Sequence, residues 1–199
     1  AAVHVFGMAS VLVMCAMEEE AKFVRDRMSE CTEVPLTGAM RRTRGTIGGM
    51  TVDLVLSGIG GVYATQSTTA ALIEKKPVAI ISCGCSGAHV KDLRMGDLVL
   101  GSLITPLDAV VLERSGKVRR TGVRRSMQDQ QVVSWPADAK LLGHAEAVAD
   151  QLVRARSAEG GREIKVMTGN VGSSDTWRQA GRFRGPPCAA AARSHAPSL

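Results

Sequence analysis

Three consecutive carboxylates, Glu18–Glu20, lie just beyond an apolar run from Val11 to Ala16. The run has the length of a strand and does not alternate with polar residues, which predicts a strand buried on both faces. A helical spacing of apolar residues runs from Ala21 to Met28. Open α/β sheets bind ligands at the carboxyl ends of their strands, where these acids would lie. The alternative is that the acids only stabilise a helix N-terminus through its dipole.

Three further segments place glycine directly after a predicted strand. SGIGG (57–61) follows Val52–Leu56, GCSGA (84–88) follows Val78–Cys83, and GNVGSSDTW (169–177) follows Glu163–Thr168. Glycine permits positive φ and lets a ligand approach the backbone closely. If these strands share a direction, their ends converge with the acids on one crevice.

Other patterns predict the remaining elements. Gly48-Gly49 lies between two β-prone runs, Arg42–Ile47 and Thr51–Leu56, which predicts a tight hairpin. A helix is expected from about Val62 to Lys75, and a strand from Leu98 towards Ile104. A second helix is expected from Pro136 onward, with an apolar face from Leu141 to Val153. Residues 113–134 are polar, basic and aperiodic, and predict a long mobile loop.

Composition limits the classes of partner. The 199-residue chain predicts one α/β domain over residues 10–177 and a disordered tail over residues 178–199, where no packing pattern is present. The net charge is +6, but the basic segment from Arg114 to Arg125 contains no aromatic residues and no known nucleic-acid motif, so we expect no nucleic-acid partner. No apolar run has transmembrane length, and the first residues do not match a signal peptide, so we expect no membrane partner.

The five cysteines predict reduced thiols. Cys15 and Cys83 lie in apolar runs, where a thiol behaves as a small hydrophobic group. The spacing of Cys83 and Cys85 is not that of a zinc site, and no second ligand pair follows, so we expect no metal. An odd number of core-like cysteines favours a cytoplasmic location.

The four segments AMEEE, SGIGG, CGCSG and GNVGSSDTW, in this order and spacing, resemble the nucleoside phosphorylase/nucleosidase superfamily, and within it the 5′-methylthioadenosine/S-adenosylhomocysteine nucleosidases. The sequence MGDLV (95–99) adds to the resemblance, which covers residues 11–177. It implies a three-layer α/β fold with a mostly parallel, mixed central sheet flanked by helices. It also implies that the last strands and the C-terminal helix are missing, as in a truncated or frame-shifted chain.

The resemblance also implies roles for particular residues. Glu20 matches the general base that activates the attacking water. The residues that match substrate contacts are Met17, Ile59, Cys85, Ser86, Gly87, Trp177 and Arg178. The implied substrate is a small purine nucleoside, the implied assembly is a homodimer, and no cofactor is implied. Carboxylates where a phosphorylase would bind phosphate favour water as the nucleophile.

The chain departs from the family pattern after Trp177. The family has a Met-Glu pair that holds the ribose hydroxyls and a later Asp that protonates the purine, whereas no acidic residue follows Asp175. Two classes of function are therefore open: a purine nucleosidase, or a catalytically inactive nucleoside-binding or dimerising domain. We expect negligible glycosidic cleavage by the chain as given, because neither His89 nor His144 is in a position typical of the missing acid.

Overall fold

The computed structural model describes residues 9–37, 40–124, 126–158 and 162–176. These residues fall into two compact units, 1–87 and 88–199, which are taken in turn. The single domain expected over residues 10–177 stays a prediction, and the expected tail, 178–199, lies outside the described residues.

The first unit is a five-stranded mixed sheet with two helices. Its elements are β1 (Ser10–Cys15), α1 (Glu18–Arg25), β2 (Ser29–Pro35), β3 (Arg41–Ile47), β4 (Met50–Leu56), α2 (Gly61–Glu74) and β5 (Ala79–Ser82). The strand order is β2-β3-β4-β1-β5. β1 pairs in parallel with both β4 and β5, and β3 is antiparallel to both of its neighbours.

Strand β1 is buried on both faces, as its unbroken apolar sequence predicts. Leu12 and Met14 belong to one core cluster, together with Ala70 and Ala71 of α2. The intervening Val13 and Cys15 belong to a second cluster, which includes Ala21 of α1. One helix therefore packs on each face of the sheet, and the three-layer α/β class expected from the sequence is confirmed.

The β3–β4 hairpin is also confirmed. Gly48 and Gly49 have φ values of 57° and 80°. Two successive positive φ values are typical of the two-residue turn that matches strand twist. Arg42 faces Val55 in the resulting register, and its side chain, only 6% exposed, pairs with Glu74 (2.6 Å).

Two predictions for the first unit were wrong, and one strand was missed. Helix α1 ends at Arg25, because the amides of Arg27 and Met28 turn back to Val24 and Arg25, so Met28 reaches the core from outside the helix. The whole of β2 was missed, since it is an exposed edge strand with a polar sequence. The run ending at Cys83 was expected to be buried, but β5 is the other edge strand and Cys83 is exposed.

The second unit contains β6 (Leu98–Pro106), β7 (Val110–Leu112), β8 (Val118–Arg120), β9 (Trp135–Pro136), α3 (Ala139–Ala158) and β10 (Val166–Ser173). Its larger sheet has the order β10-β6-β9, with β10 parallel to β6. The expected strand from Leu98 is confirmed and extends to Pro106. None of the helices among the described residues is long and apolar enough to cross a membrane.

Several expectations for the second unit need correction. Residues 113–134 are not one irregular loop, since β7 and β8 form a hairpin and Val123 bridges Val132. Pro136 belongs to β9, and α3 begins at Ala139, where the Asp138 carboxylate accepts hydrogen bonds from the amides of Lys140 and Leu141. The glycines at 169 and 172 lie inside β10, which has an irregular register at Gly169–Asn170, and not in a turn after it.

Candidate functional site

The carboxyl ends of three neighbouring strands bring together three of the four segments predicted to form a crevice. Strands β4, β1 and β5 are adjacent and parallel. Residues Met17 to Glu20 follow β1, residues 57–61 follow β4, and residues 83–87 follow β5. The sheet therefore places these three loops along one edge, which is the expected position of a ligand site in such sheets.

Glu20 is the acid that faces this edge. Its Oε2 accepts hydrogen bonds from the backbone amides of Ala16 (2.9 Å) and Met17 (3.1 Å), and its Oε1 accepts one from Cys85 (2.8 Å). The half-buried carboxylate thus joins the start of α1 to the segment after β5. Three backbone donors fix its position without using any other side chain.

The neighbouring acids lie in other surroundings. Glu18 is exposed and pairs with Arg25, and this hydrogen bond lowers the pKa of Glu18 and raises that of Arg25. Glu19 is exposed as well. All three acids occupy the first turn of α1, where the helix dipole favours them, but among them only Glu20 has a hydrogen bond to the segment after β5.

Gly84 allows the close approach of Glu20 to the backbone. A Cβ atom at this position would lie 2.7 Å from Oε1 of Glu20. The sequence marked this position only as a glycine after a predicted strand. The structure shows why glycine is needed there, since any larger residue would clash with the Glu20 carboxylate. The three amides that hold Glu20 were missed, because backbone donors leave no residue-type signal and Met17 is not a usual helix cap.

The other predicted contacts of the first unit lie in the three segments that follow β1, β4 and β5. Met17 is half-buried and precedes α1, and Ile59 is 55% exposed between Gly58 and Gly60, whose φ values are 85° and 105°. Cys85, Ser86 and Gly87 are exposed after β5. Their substrate-binding roles, like the catalytic role of Glu20, remain predictions.

The fourth predicted segment lies in the second unit. Its residues 174–176 are held by Asp108, whose carboxylate accepts hydrogen bonds from Ser174 Oγ (2.7 Å) and the Asp175 amide (2.7 Å). These bonds, led by that of Ser174, lower the pKa of Asp108. Asp108 was missed by sequence reasoning. Trp177 and Arg178, the predicted purine contacts, lie outside the described residues.

A cavity of about 690 Å³ adjoins the carboxyl end of β4 in the first unit, where Ser57 and Gly58 line it. Two arginines in its wall are paired with acids, Arg25 with Glu18 and Arg41 with Glu33. Among the described residues, no three His, Cys, Asp or Glu side chains are grouped so that they could hold a metal ion.

A family model described as the phosphorylase superfamily matches residues 10–181. The chain belongs to the phosphorylase superfamily. This superfamily member is similar to proteins named 5′-methylthioadenosine/S-adenosylhomocysteine nucleosidase from several bacteria. Identity to the protein from Bacillus cereus (strain B4264) is 35% over 167 residues, which is 84% of this chain and 65% of that protein. Identity to the protein from Aeromonas salmonicida is 31% over 140 residues, which is 70% of this chain and 57% of that protein.

Solved structures agree with this assignment to the phosphorylase superfamily. The nucleosidase of the same name from Neisseria meningitidis, in complex with methylthio-immucillin-A, has a TM-score of 0.68 and 26% identity over 84% of this chain and 65% of that one. The Colwellia psychrerythraea nucleosidase has a TM-score of 0.69 at 22% identity, over 86% of this chain and 64% of that one, and this likeness shows the fold alone. The chain thus spans less than two thirds of the length of each of these proteins.

Proposed function

We propose that this protein is a purine nucleosidase that hydrolyses the N-glycosidic bond of methylthioadenosine- or S-adenosylhomocysteine-type nucleosides, with Glu20 as the general base. The observation that carries the proposal is the Glu20 carboxylate, held by three backbone amides where the ends of β1 and β5 meet. A positioned carboxylate can take a proton from water as the water attacks the sugar carbon. Cleavage of such a bond passes through an oxocarbenium-like state that this attack completes.

The charges of the cavity wall and of the neighbouring Glu20, which does not line the cavity, favour water over phosphate as the nucleophile. A phosphorylase needs arginine or backbone donors free to bind a phosphate group. Arg25 and Arg41 are instead paired with Glu18 and Glu33, and Glu20 adds a further negative charge at the strand ends. A phosphate dianion would be repelled there, whereas a neutral water molecule would not.

The substrate class comes from the similar proteins, whose names specify methylthioadenosine and S-adenosylhomocysteine. We assign the ribose side to Met17 and Ile59, and the surface beneath the nucleoside to Cys85, Ser86 and Gly87. Trp177 would stack on the purine, and the backbone of Arg178 would contact it. Hydrolysis of methylthioadenosine at this site would serve methionine salvage.

Adenine release from methylthioadenosine by Glu20→Gln and Glu19→Gln variants tests the proposal. Loss of a positioned general base costs about 10²–10⁴-fold in rate. Release above a buffer control would overturn the negligible cleavage expected from the sequence. Where such release is measured, we expect that loss for Glu20→Gln and an unchanged rate for Glu19→Gln, an equal change of charge at an exposed neighbour. Melting curves of both variants show whether each is folded. Equal release by the chain and by folded Glu20→Gln would contradict the role of Glu20.

A second candidate function, nucleoside binding without hydrolysis, is favoured by one observation. Residues 176–199 contain no Asp or Glu, whereas the family resemblance implies an acid that protonates the purine. Equilibrium binding of methylthioadenosine separates the candidates. Saturable binding without adenine release supports the second, and release that depends on Glu20 supports the first.

We also propose that the protein is a cytoplasmic homodimer. Helix α2 exposes apolar side chains, with Val62 at 76% and Ile73 at 80% exposure, and an apolar helix surface favours association with a second copy. The four cysteines of the described residues are free thiols, which is typical of a reducing compartment.

A further inference from the structure

Two thiols lie side by side at the carboxyl ends of β1 and β5. The register of the two strands pairs Met14 with Ser82, and the Cys83 amide donates to the Met14 carbonyl (2.9 Å). Cys15 and Cys83 are thus the next pair in the same register. Neighbouring strands lie about 4.8 Å apart. This separation is inside the range of about 4.4–6.8 Å between Cα atoms that a disulfide requires.

The two thiols differ in their access to solvent. Cys15 is 1% exposed, whereas Cys83 is exposed. Burial, followed by the neighbouring Cys83 and Glu20, raises the pKa of the Cys15 thiol to about 11, and a hydrogen bond between the two side chains adds to this effect. The register places the two cysteines side by side, and an oxidant from solvent reaches the exposed Cys83 first.

We propose that Cys15 and Cys83 form a reversible disulfide when a peroxide reaches Cys83, so that this pair is a redox modification site. The Cys83 sulfur attacks the peroxide and breaks its O–O bond, which gives a sulfenic acid and one water when the oxidant is hydrogen peroxide. The Cys15 sulfur then displaces hydroxide from the sulfenic sulfur, which leaves as a second water. Two thiols lose two electrons and two protons, and a dithiol reverses the change.

The fold selects this pair over the other cysteine of the sheet. Cys31 belongs to β2, which is separated from β1 by β3 and β4. That is about 14 Å at the usual strand spacing. It exceeds the limit of about 7 Å beyond which two cysteines cannot be bridged without backbone movement. The competing partner for Cys83 is Cys85, two residues along the chain, whose amide is already bonded to Glu20.

A link between Cys15 and Cys83 would join the two segments that hold Glu20. Ala16 and Met17 directly follow Cys15, Cys85 lies two residues after Cys83, and the amides of all three donate to the Glu20 carboxylate. The disulfide would therefore fix the distance between these donors. The proposal concerns the thiols alone and holds whether or not the protein is a nucleosidase.

Peptide mapping after peroxide treatment tests the proposal. The reduced 199-residue chain is treated with equimolar hydrogen peroxide, blocked with a maleimide, digested without reductant and analysed by mass spectrometry. We expect a Cys15–Cys83 peptide as the main product, its loss on dithiothreitol treatment, and the same product from Cys31→Ser and Cys85→Ser. The Cys83→Ser variant, altered at an exposed position, should leave Cys15 as a free thiol.

The same treatment in urea serves as the control for the fold, and there the preference for this pair should disappear. Three results would overturn the proposal. Cys83 could be linked mainly to Cys85 or Cys188, Cys83 could accumulate as a sulfinic acid beside unmodified Cys15, or the Cys85→Ser variant could fail to give the Cys15–Cys83 peptide while remaining folded by circular dichroism.

Discussion

Gly84 determines where the Glu20 carboxylate can lie, because no side chain separates the backbone of residue 84 from Oε1. In a Gly84→Ala variant the new Cβ would lie 2.7 Å from Oε1 and 3.0 Å from Cδ of Glu20. The clash is with the end of a flexible side chain, so the fold should survive while the carboxylate moves. We expect any adenine release that depends on Glu20 to fall at least about tenfold, since small misplacements of catalytic groups are costly.

Amide hydrogen exchange gives a second measurement for Gly84→Ala that does not depend on turnover. The Cys85 amide, which donates to Glu20 Oε1, should exchange faster in the variant. Gly143→Ala is the control, since a Cβ there has no neighbour within 4 Å. Unchanged exchange at Cys85 in a folded Gly84→Ala protein would show that the Glu20 contact had not been displaced.

Among the elements, β1 and β5 are neighbours with opposite surroundings, and their stabilities should respond differently to truncation. Leu12 and Ile80 are partners in the register, but Leu12 is 2% exposed and Ile80 is 44% exposed. Leu12→Ala should lower the free energy of unfolding by about 2–5 kcal/mol, the usual cost of such a cavity in a core. Ile80→Ala should cost less than about half as much, because much of its side chain already contacts water.

Urea unfolding curves followed by circular dichroism check the comparison between Leu12→Ala and Ile80→Ala. The two variants remove apolar atoms from paired positions, so the difference between them reports burial and not position along the strand. Equal losses would show that β5 is covered in solution to the same extent as β1.

Asp97 links the starts of β6 and β10 and should make the second unit sensitive to acid. Its carboxylate accepts hydrogen bonds from the amides of Arg94 (2.7 Å) and Lys165 (3.1 Å) and from Arg162 (3.0 Å). These contacts, led by the Arg94 amide, lower the pKa of Asp97 in the folded protein. The stabilisation that Asp97 contributes is therefore fully present above its pKa in the unfolded chain, about 3.9. It is lost as the pH falls through its lower pKa in the folded protein.

Thermal melts at pH 6 and at pH 3 measure this effect. We expect Asp97→Asn to lower the melting temperature at pH 6 and to flatten its fall towards pH 3, because the variant has no carboxylate to protonate there. Glu163→Gln, two residues before Lys165, serves as the control for net charge. A fall towards pH 3 that is equally steep in Asp97→Asn and in the unaltered chain would contradict the role of Asp97.

Elements held by burial could be predicted from the sequence, and elements held by strand pairing could not. The apolar run of β1 and the glycine pair of the β3–β4 hairpin carried clear signals, and both were found. β2 has both faces largely exposed and depends on its ladder with β3, so its polar residues gave no pattern. The β7–β8 hairpin was missed for the same reason, because its two strands are short and exposed.

At the scale of the whole molecule, the order of the four segments identified the superfamily, but residue types could not define the site. Glu20 could be singled out only by resemblance, since Glu18 and Glu19 carry the same carboxylate. What distinguishes it is the set of amides from Ala16, Met17 and Cys85, which depends on the pairing of β1 with β5 and not on side-chain chemistry.

The proposed homodimer makes the last prediction, because it depends on a surface of the whole molecule. Val62 and Ile73 lie eleven residues apart on α2, close to three helical turns, so they share one exposed side of that helix. Sedimentation velocity should show a dimer for the unaltered chain and a monomer for Ile73→Glu, since a charge buried in an apolar contact is costly. Phe23→Glu on α1, altered at a side chain that is 76% exposed, should remain a dimer. If Ile73→Glu stayed dimeric, the proposed interface through this side of α2 would be wrong, because burying an unpaired carboxylate there would be costly.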